Sequence, residues 1–139
     1  MAQQSPTAGN HPGTTGRRIL IVDDNRDAAI SLGMLLELSG YEIETAYDGS
    51  ASIDAAARFQ PQVILLDIGL PGLDGYEVAR RMRSEPWGKQ ATLVAVTGWG
   101  QAEDRERSKA AGFDAHLVKP VDHDALVKLL AELGPFSSV

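Results

Sequence analysis

Short apolar runs, separated by polar and glycine-rich stretches, dominate the pattern along this chain. Four of them cover residues 19–22, 63–66, 93–96 and 115–118, and each is followed by a polar side chain. Runs this short, with little polar alternation, predict strands that are buried on both faces of a sheet. Residues 41–44 instead alternate apolar and polar side chains, which predicts a fifth strand at a half-exposed edge.

Helices are predicted between the strands. They cover residues 25–39, 50–58, 76–84 and 101–111, followed by a last helix that Asp122 caps and that Gly134 and Pro135 close. The first helix is expected to bury an apolar face formed by Ala28, Leu32, Leu35 and Leu36. The helix at 101–111 has only alanines as apolar residues, so we expect the sheet to hold it weakly. Five alternations of strand and helix predict a parallel sheet with helices on both faces.

The composition predicts one folded domain with short tails. The chain has 139 residues, 43% of them hydrophobic, which is enough for one sizeable core but too little for two domains. Residues 1–16 are rich in Gln, Ser, Pro, Thr and Gly, and we expect them to be disordered. The folded domain is expected to cover residues 17–134, with a short tail at 135–139.

Charge and cysteine content exclude several classes of function. The 13 basic and 19 acidic residues give a net charge of −6, which argues against a nucleic-acid-binding surface. The absence of cysteine excludes disulfides, thiolate catalysis and cysteine-bound metals, and it permits the cytoplasmic location that we expect. No apolar stretch approaches the length of a membrane span, so we expect no membrane contact.

Chemically active side chains follow the predicted strands. Asp23 and Asp24 follow the first strand, Asp67 the third, Thr97 the fourth and Lys119 the fifth. The carboxyl ends of parallel strands meet at one edge, which is where ligands bind in open α/β sheets. Three carboxylates placed together require a cation, and a set of oxygen ligands without His or Cys favours Mg²⁺ over Ca²⁺.

Three local sequences at these strand ends resemble the receiver domain of two-component response regulators. They are residues 21–25 (IVDDN), 66–75 (LDIGLPGLDG) and 117–120 (LVKP). The resemblance covers residues 17–133 and is strongest to receivers attached to hybrid sensor kinases. It implies a flavodoxin-like α/β fold, in which five parallel strands take the order 2-1-3-4-5 with helices on both faces. Whether the chain is a stand-alone regulator or part of a hybrid kinase stays open.

The resemblance implies that Asp67 is a phosphoacceptor. A carboxylate oxygen of Asp67 would attack a phosphoryl group carried by a histidine of a sensor histidine kinase or of a histidine phosphotransfer protein. Mg²⁺ would be held by Asp23, Asp24, Asp67 and the backbone carbonyl of Gly69, and it would offset the charge of the phosphoryl group. Without the resemblance, Asp67 is compatible with a strand-end acid that caps a loop, and residues 23–25 with a helix cap.

The resemblance assigns phosphate contacts to Lys119 and Thr97. The Lys119 ammonium would pair with a phosphate oxygen, aimed by a cis peptide bond to Pro120. The Thr97 hydroxyl would also contact the phosphate and would thereby couple phosphorylation to a change at the surface. From the residues alone, Lys119 is equally compatible with a snorkelling side chain and Thr97 with an ordinary β-branched strand residue.

Three further residues are candidates for switching. Gly98 leaves room for the phosphate next to Thr97. Trp99 either shields the acyl phosphate from water or covers an apolar surface patch, and both hypotheses stay open. His116 lies where many receivers carry a rotating aromatic side chain, so its part in switching also stays open.

The output surface is expected on the face formed by residues 101–111, the last strand and the last helix. A weakly held helix is easily biased between two states, which suits the binding of a downstream protein partner. The same region is compatible with a homodimer, which the sequence does not decide.

Two other functions stay open beside the phosphoacceptor. One is a phosphorylation-independent interaction module with the receiver fold. The other is an aspartate-nucleophile phosphatase, which is disfavoured because that class places a second acid two residues after the nucleophile, where this chain has Gly69. We expect a signalling protein rather than an enzyme, with phosphorylation from small donors and self-dephosphorylation as its only catalysis.

Overall fold

The computed structural model of the chain describes residues 17–70, 74–98 and 109–132. The strands are β1 (Arg18–Val22), β2 (Glu42–Ala46), β3 (Val63–Asp67), β4 (Thr92–Thr97) and β5 (Ala115–Val118). The helices are α1 (Arg26–Leu38), α2 (Gly49–Phe59), α3 (Gly75–Arg83) and α4 (His123–Glu132), with a 3-10 helix at Pro86–Gly88. Most of the helix predicted at 101–111 lies outside the described residues, but residues 109–111 are described and are helical.

The five strands form one parallel sheet in the order β2-β1-β3-β4-β5, which confirms the predicted fold. β3 lies in the middle, paired with β1 and β4, and all five of its residues are buried. This burial explains why its sequence is a continuous apolar run. No helix in the described part of the chain is long and apolar enough to cross a membrane.

Helices cover both faces of the sheet, and each face has its own core. Ile64 and Leu66 of β3 belong to the core under α2 and α3. Val63 and Leu65 belong to the core under α1 and α4, to which Leu126 of α4 contributes. Because successive side chains of a strand point to opposite faces, the apolar run of β3 supplies both cores at once.

α1 buries a face that agrees only in part with the one predicted. Leu36 is buried and Leu32 packs against the core, as expected. Ala28 and Leu35 are exposed, and the helix instead buries Gly33. At Gly33 the helix lies so close to β2 that a Cβ atom there would be 3.1 Å from Cγ2 of Ile43. Because the glycine faces the sheet, larger side chains point to solvent. They form an exposed apolar stripe of Ile30, Met34, Leu35 and Leu38.

Asn or Asp side chains cap the start of each of these four α-helices. Asn25, Asp48, Asp74 and Asp122 each accept a hydrogen bond from the backbone N–H three residues later, at 3.1, 2.7, 2.9 and 3.0 Å. The cap predicted at Asp122 is therefore confirmed. Such a cap contributes about 1 kcal/mol to helix stability and fixes where the helix begins.

Two expectations about exposure are wrong. None of the four residues of β5 is buried, and Val118 is 52% exposed. The reason is that β5 pairs only with β4 within the described ranges, so that it is an edge strand. His123 lies in the first turn of α4, where its sequence position predicts a solvated side chain. It is half-buried instead, and its Nε2 atom is buried without a hydrogen-bond partner among the described residues.

Arg83, at the end of α3, crosslinks the segments that lead into β4 and β5. Its Nη1 atom donates to the carbonyl oxygens of Gly88 and Ala91, at 2.8 and 2.6 Å. Its Nε and Nη2 atoms both donate to the carbonyl oxygen of Gly112, at 3.0 and 2.7 Å. Nη2 also pairs with Oδ2 of Asp114 at 2.7 Å. One half-buried side chain thus holds the two segments together at the amino edge of the sheet.

Candidate functional site

The acidic residues predicted at the strand ends come together at the carboxyl edge of the sheet. Asp23 and Asp24 follow β1, and Asp67 is the last residue of β3. One carboxylate oxygen of each lies within 4.8 Å of the other two. Asp67 is only 5% exposed, whereas Asp23 is half-buried and Asp24 is exposed. The cluster therefore has a buried wall, formed by Asp67, and an open side toward solvent.

Both oxygens of the Asp67 carboxylate have a hydrogen-bond donor. Oδ1 accepts from the backbone N–H of Gly69 at 2.9 Å, and Oδ2 accepts from Nζ of Lys119 at 2.8 Å. Lys119 follows β5 and reaches across the end of β4 to make this contact. Its ammonium offsets part of the negative charge that three carboxylates accumulate in a small volume.

The Lys119 ammonium is shared between two carboxylates, because it also lies 3.4 Å from Oδ2 of Asp23. Partial burial lowers the pKa of Lys119, but its hydrogen bonds and charge pairing with Asp67 and Asp23 outweigh burial and raise that pKa. Burial, together with the negative charge of Asp67, raises the pKa of the Asp23 carboxyl by more than the N–H of Asn25 and the ammonium of Lys119 lower it. Lys119 therefore stays protonated at neutral pH, next to a carboxyl that gains from a further cation.

The helix cap and the acidic cluster use different residues. The side chain that caps α1 belongs to Asn25, which accepts from Ala28 N. Asp23 accepts from the N–H of Asn25 at 2.9 Å through Oδ1, and its other oxygen faces Lys119. Capping alone therefore does not account for Asp23, which contacts the same lysine as Asp67.

The cluster fits a hard divalent cation. Its donors are carboxylate oxygens, with no His or Cys among them, and such a set suits Mg²⁺, which keeps several waters beside one or two carboxylates. Asp23, Asp24 and Asp67 are the residues that would hold it. The contact observed for Gly69 is made by its N–H, and its carbonyl as a ligand stays a prediction.

Thr97, the last residue of β4, is 5% exposed and lies next to the cluster in the sheet. Its hydroxyl donates to the carbonyl oxygen of Leu117 over 3.5 Å, which is long for such a bond. Its carbonyl oxygen accepts from the N–H of Lys119 at 2.8 Å. The Lys119–Pro120 peptide bond is cis, in agreement with the resemblance.

The predicted switch residues are only partly described. Gly98 directly follows β4 at the carboxyl edge, and His116 is half-buried in β5, where it pairs with Ala95. Trp99 lies outside the described residues, so both hypotheses for it stay predictions.

Gly75 contributes to the site, although we gave it no role from the sequence. A Cβ atom on Gly75 would lie 2.6 Å from Cα of Ile68 and 3.0 Å from the carbonyl oxygen of Asp67. The first turn of α3 therefore packs directly on the backbone that carries the Asp67 carboxylate. In the sequence, the feature that could have indicated this contribution is the position of Gly75 at the end of the LDIGLPGLDG stretch.

Arg26 brings a further cation to this end of the sheet. Its guanidinium carbon lies 4.2 Å from the centre of the Tyr47 ring, and the Tyr47 hydroxyl shares a hydrogen bond with Thr45 at 2.8 Å. Tyr47 follows β2 directly, and Arg26 is the first residue of α1. No local sequence pattern predicted this contact, because the two residues come from different elements.

Comparison with known families agrees with this geometry. The family of response regulator receiver domains matches residues 19–131. The chain belongs to this family. It is therefore a receiver domain of two-component signalling, and receiver domains interact with histidine kinases and with downstream effectors. The family binds Mg²⁺ in its active site, which agrees with the acidic cluster.

Two curated relatives are much longer than this receiver domain. It is 34% identical over 122 residues to the response regulator PleD of Caulobacter vibrioides, covering 88% of this chain and 27% of PleD. It is 38% identical over 116 residues to the response regulator MprA of Mycobacterium avium, covering 84% of this chain and 49% of MprA. The chain thus spans about a quarter and about half of the lengths of these relatives.

Solved structures with the same fold include single-domain and kinase-derived receivers. The chemotaxis response regulator CheY4 of Vibrio cholerae gives a TM-score of 0.80 at 29% identity, covering 86% of this receiver domain and 99% of CheY4. The receiver domain of the sensor histidine kinase PA1611 of Pseudomonas aeruginosa gives 0.76 at 31% identity, covering 85% and 97%. The PA1611 structure has a magnesium ion coordinated in its active site cleft.

Proposed function

We propose that this receiver domain accepts a phosphoryl group on Asp67 in a Mg²⁺-dependent phosphorelay. The donor is the phosphohistidine of a sensor histidine kinase or of a histidine phosphotransfer protein. The proposal is supported above all by one observation: the nearly buried Asp67 carboxylate lies 2.8 Å from Lys119 and within 4.8 Å of two further carboxylates. We further propose that residues 17–134 form the domain and that it acts in the cytoplasm.

Each residue has a distinct part in the proposed transfer. A carboxylate oxygen of Asp67 attacks phosphorus, the bond between phosphorus and the histidine nitrogen breaks, and the imidazole takes the electron pair. The Lys119 ammonium moves from the carboxylate to a phosphoryl oxygen, where its compact charge is matched. Asp23 and Asp24, with Asp67, would hold Mg²⁺, which would supply positive charge to offset that of the phosphoryl oxygens.

We propose that Thr97 couples phosphorylation of Asp67 to a structural change at the output surface. Its hydrogen bond to the Leu117 carbonyl is long, so that exchanging it for a phosphate oxygen costs little. Two hydrogen bonds link the ends of β4 and β5: the Thr97 hydroxyl donates to the Leu117 carbonyl, and the N–H of Lys119 donates to the Thr97 carbonyl. A shift at Thr97 is therefore transmitted toward β5. We propose that a downstream protein, and not nucleic acid or a membrane, binds the face that includes β5 and α4.

Phosphate incorporation from acetyl phosphate tests the proposed function. The native chain should take up about one phosphate per chain in the presence of Mg²⁺ and almost none in EDTA, because the carboxylates otherwise repel the donor. The label should be stable in acid and labile in base, as expected of an acyl phosphate. A folded chain without any label would support the phosphorylation-independent interaction module. Release of many phosphates per chain would support the phosphatase.

Lys119→Gln should tighten Mg²⁺ binding while it weakens phosphorylation. The substitution removes the positive charge that Asp67 and Asp23 share, so that the cluster attracts the metal more strongly. After screening of a half-exposed ammonium, we expect a Kd lower by roughly fivefold to tenfold, on the order of 1 kcal/mol. Isothermal titration calorimetry with MgCl₂ measures the Kd.

A second lysine serves as the control for that titration. Lys128 is exposed on α4, and Lys128→Gln changes the net charge of the chain by the same amount without touching the cluster. Its Mg²⁺ affinity should equal that of the native chain. Equal affinity in Lys119→Gln and Lys128→Gln would show that Lys119 does not compete with the metal.

A further inference from the structure

A pocket lies at the amino edge of the sheet, opposite the acidic cluster. It has a volume of about 610 Å³ and opens between the end of α3 and the segments that lead into β4 and β5. This volume falls within the range of small-molecule sites, roughly 300–1,000 Å³. The proposed phosphotransfer uses none of the side chains that line it.

The pocket is positively charged, although the whole chain carries a net charge of −6. Its charged lining residues are Arg83, Lys89, Lys109 and Asp114, so that three cations face one carboxylate. Arg83 and Asp114 pair with each other, and the two exposed lysines therefore carry the excess charge. Neither lysine ammonium has a hydrogen-bond or ion-pair partner among the residues that the structure describes.

The wall of the pocket is held rigidly by the Arg83 crosslink. Arg83 joins Gly88, Ala91 and Gly112, and the Asp114 carboxylate that it contacts also accepts from the N–H of Leu93 at 2.9 Å. A wall with its hydrogen bonds already made loses little conformational freedom when a ligand binds.

Two uncharged polar residues also line the pocket beside the lysines. They are Gln90, whose side chain carries an amide, and Thr92, the first residue of β4, whose side chain carries a hydroxyl. Hydroxyl and amide groups donate to phosphate oxygens, and two ammonium groups supply the matching charge.

We propose that this pocket binds a small phosphorylated molecule that carries at least two negative charges. The lysines attract the phosphate group, and Gln90 and Thr92 donate to its oxygens. The Asp114 carboxylate and the acidic remainder of the chain oppose binding, and the lysines are exposed, so that we expect a Kd on the order of 0.1–1 mM. A ligand held there would touch both segments that Arg83 crosslinks.

Titration of the ¹⁵N-labelled chain with inorganic pyrophosphate, at constant ionic strength and in EDTA, tests the proposal. Without Mg²⁺ the acidic cluster repels this probe, so binding at the pocket is observed alone. The amide resonances of Ala91 and Gly112, which both line the pocket, should shift and saturate. Lys89→Gln and Lys109→Gln should each raise the Kd by about fivefold, the effect of losing roughly 1 kcal/mol of charge pairing.

Matched variants and salts define the result that overturns the proposal. Lys128→Gln, on α4 and outside the pocket lining, should leave the Kd unchanged. Shifts that do not saturate, equal shifts with NaCl at the same ionic strength, or one Kd for all three lysine variants would each reject the pocket as an anion site. Because acetyl phosphate labelling of Asp67 is measured separately, this failure does not affect the proposed phosphotransfer.

Discussion

Asp67→Asn should abolish phosphate incorporation from acetyl phosphate in the presence of Mg²⁺. The amide has no anionic oxygen to attack phosphorus, and it cannot keep the ion pair that places Lys119 2.8 Å from Oδ2. We expect the label to fall below detection, a loss of at least about 10³-fold, as is usual when a nucleophile is removed. A phosphate-affinity gel or intact mass spectrometry measures it.

Asp48→Asn is the matched control for this experiment. Asp48 is also an acid that follows a strand of the sheet, but it is exposed and caps α2 through Ala51 N. Asparagine caps helices as well as aspartate does, so the fold should be unchanged and labelling should equal that of the native chain. Label retained in Asp67→Asn, or lost equally in Asp48→Asn, would contradict the assignment of Asp67.

Arg83→Ala should destabilise the fold by about 3 kcal/mol, the second large effect that we expect. The substitution removes five hydrogen bonds and leaves the carbonyls of Gly88, Ala91 and Gly112 and the Asp114 carboxylate without this donor. The Arg83 side chain is 22% exposed, so that water replaces the lost bonds only in part. Urea unfolding followed by circular dichroism measures the free energy of unfolding.

Two further variants complete this experiment: one separates the donor geometry of Arg83 from its charge, and the other is a surface control. Arg83→Lys keeps the charge opposite Asp114 but loses the planar array of donors, so that we expect an intermediate loss of stability. Arg81→Ala removes an arginine of the same helix whose partner, Glu77, lies at the surface, and it should cost no more than about 0.5 kcal/mol. Equal losses in Arg83→Ala and Arg81→Ala would show that the crosslink contributes nothing.

The Arg83 crosslink requires a glycine at position 112. Its φ of +108° lies in a region that favours glycine, and a Cβ atom there would lie 2.8 Å from Cγ of Arg83. The carbonyl that accepts two bonds from Arg83 is therefore available only because the residue is a glycine. The sequence shows this glycine as a helix stop, and only the structure shows the guanidinium beside it.

Most of the architecture follows from local patterns in the sequence. The apolar runs predicted the strands, and the polar residue after each of them predicted the chemical character of the carboxyl edge. These inferences succeed because a strand that is buried on both faces must be apolar throughout, and because parallel strands all end at one edge. The family resemblance rests on the same strand ends and agrees with the match over residues 19–131.

Local patterns failed where packing between separate elements decides exposure. The buried face of α1 was predicted correctly only in part, because helical periodicity ranks residues by hydrophobicity and does not show that Gly33 allows close approach to Ile43. β5 was expected to be buried, yet it lies at the edge of the sheet and its Val118 is exposed. In both cases a neighbouring element sets the exposure, and the hydrophobic pattern within the segment itself does not reveal that neighbour.

The sequence by itself determined the strands, the cap at Asp122, the fold family and the residues gathered at the carboxyl edge. Only the tertiary structure decided that Lys119 lies between Asp23 and Asp67, that the Thr97 hydroxyl contacts Leu117, and that Arg83 closes the opposite edge. Hydrophobic periodicity and capping depend on residues within a few positions of one another. Ion pairs and pockets depend on side chains that the sheet order alone brings together.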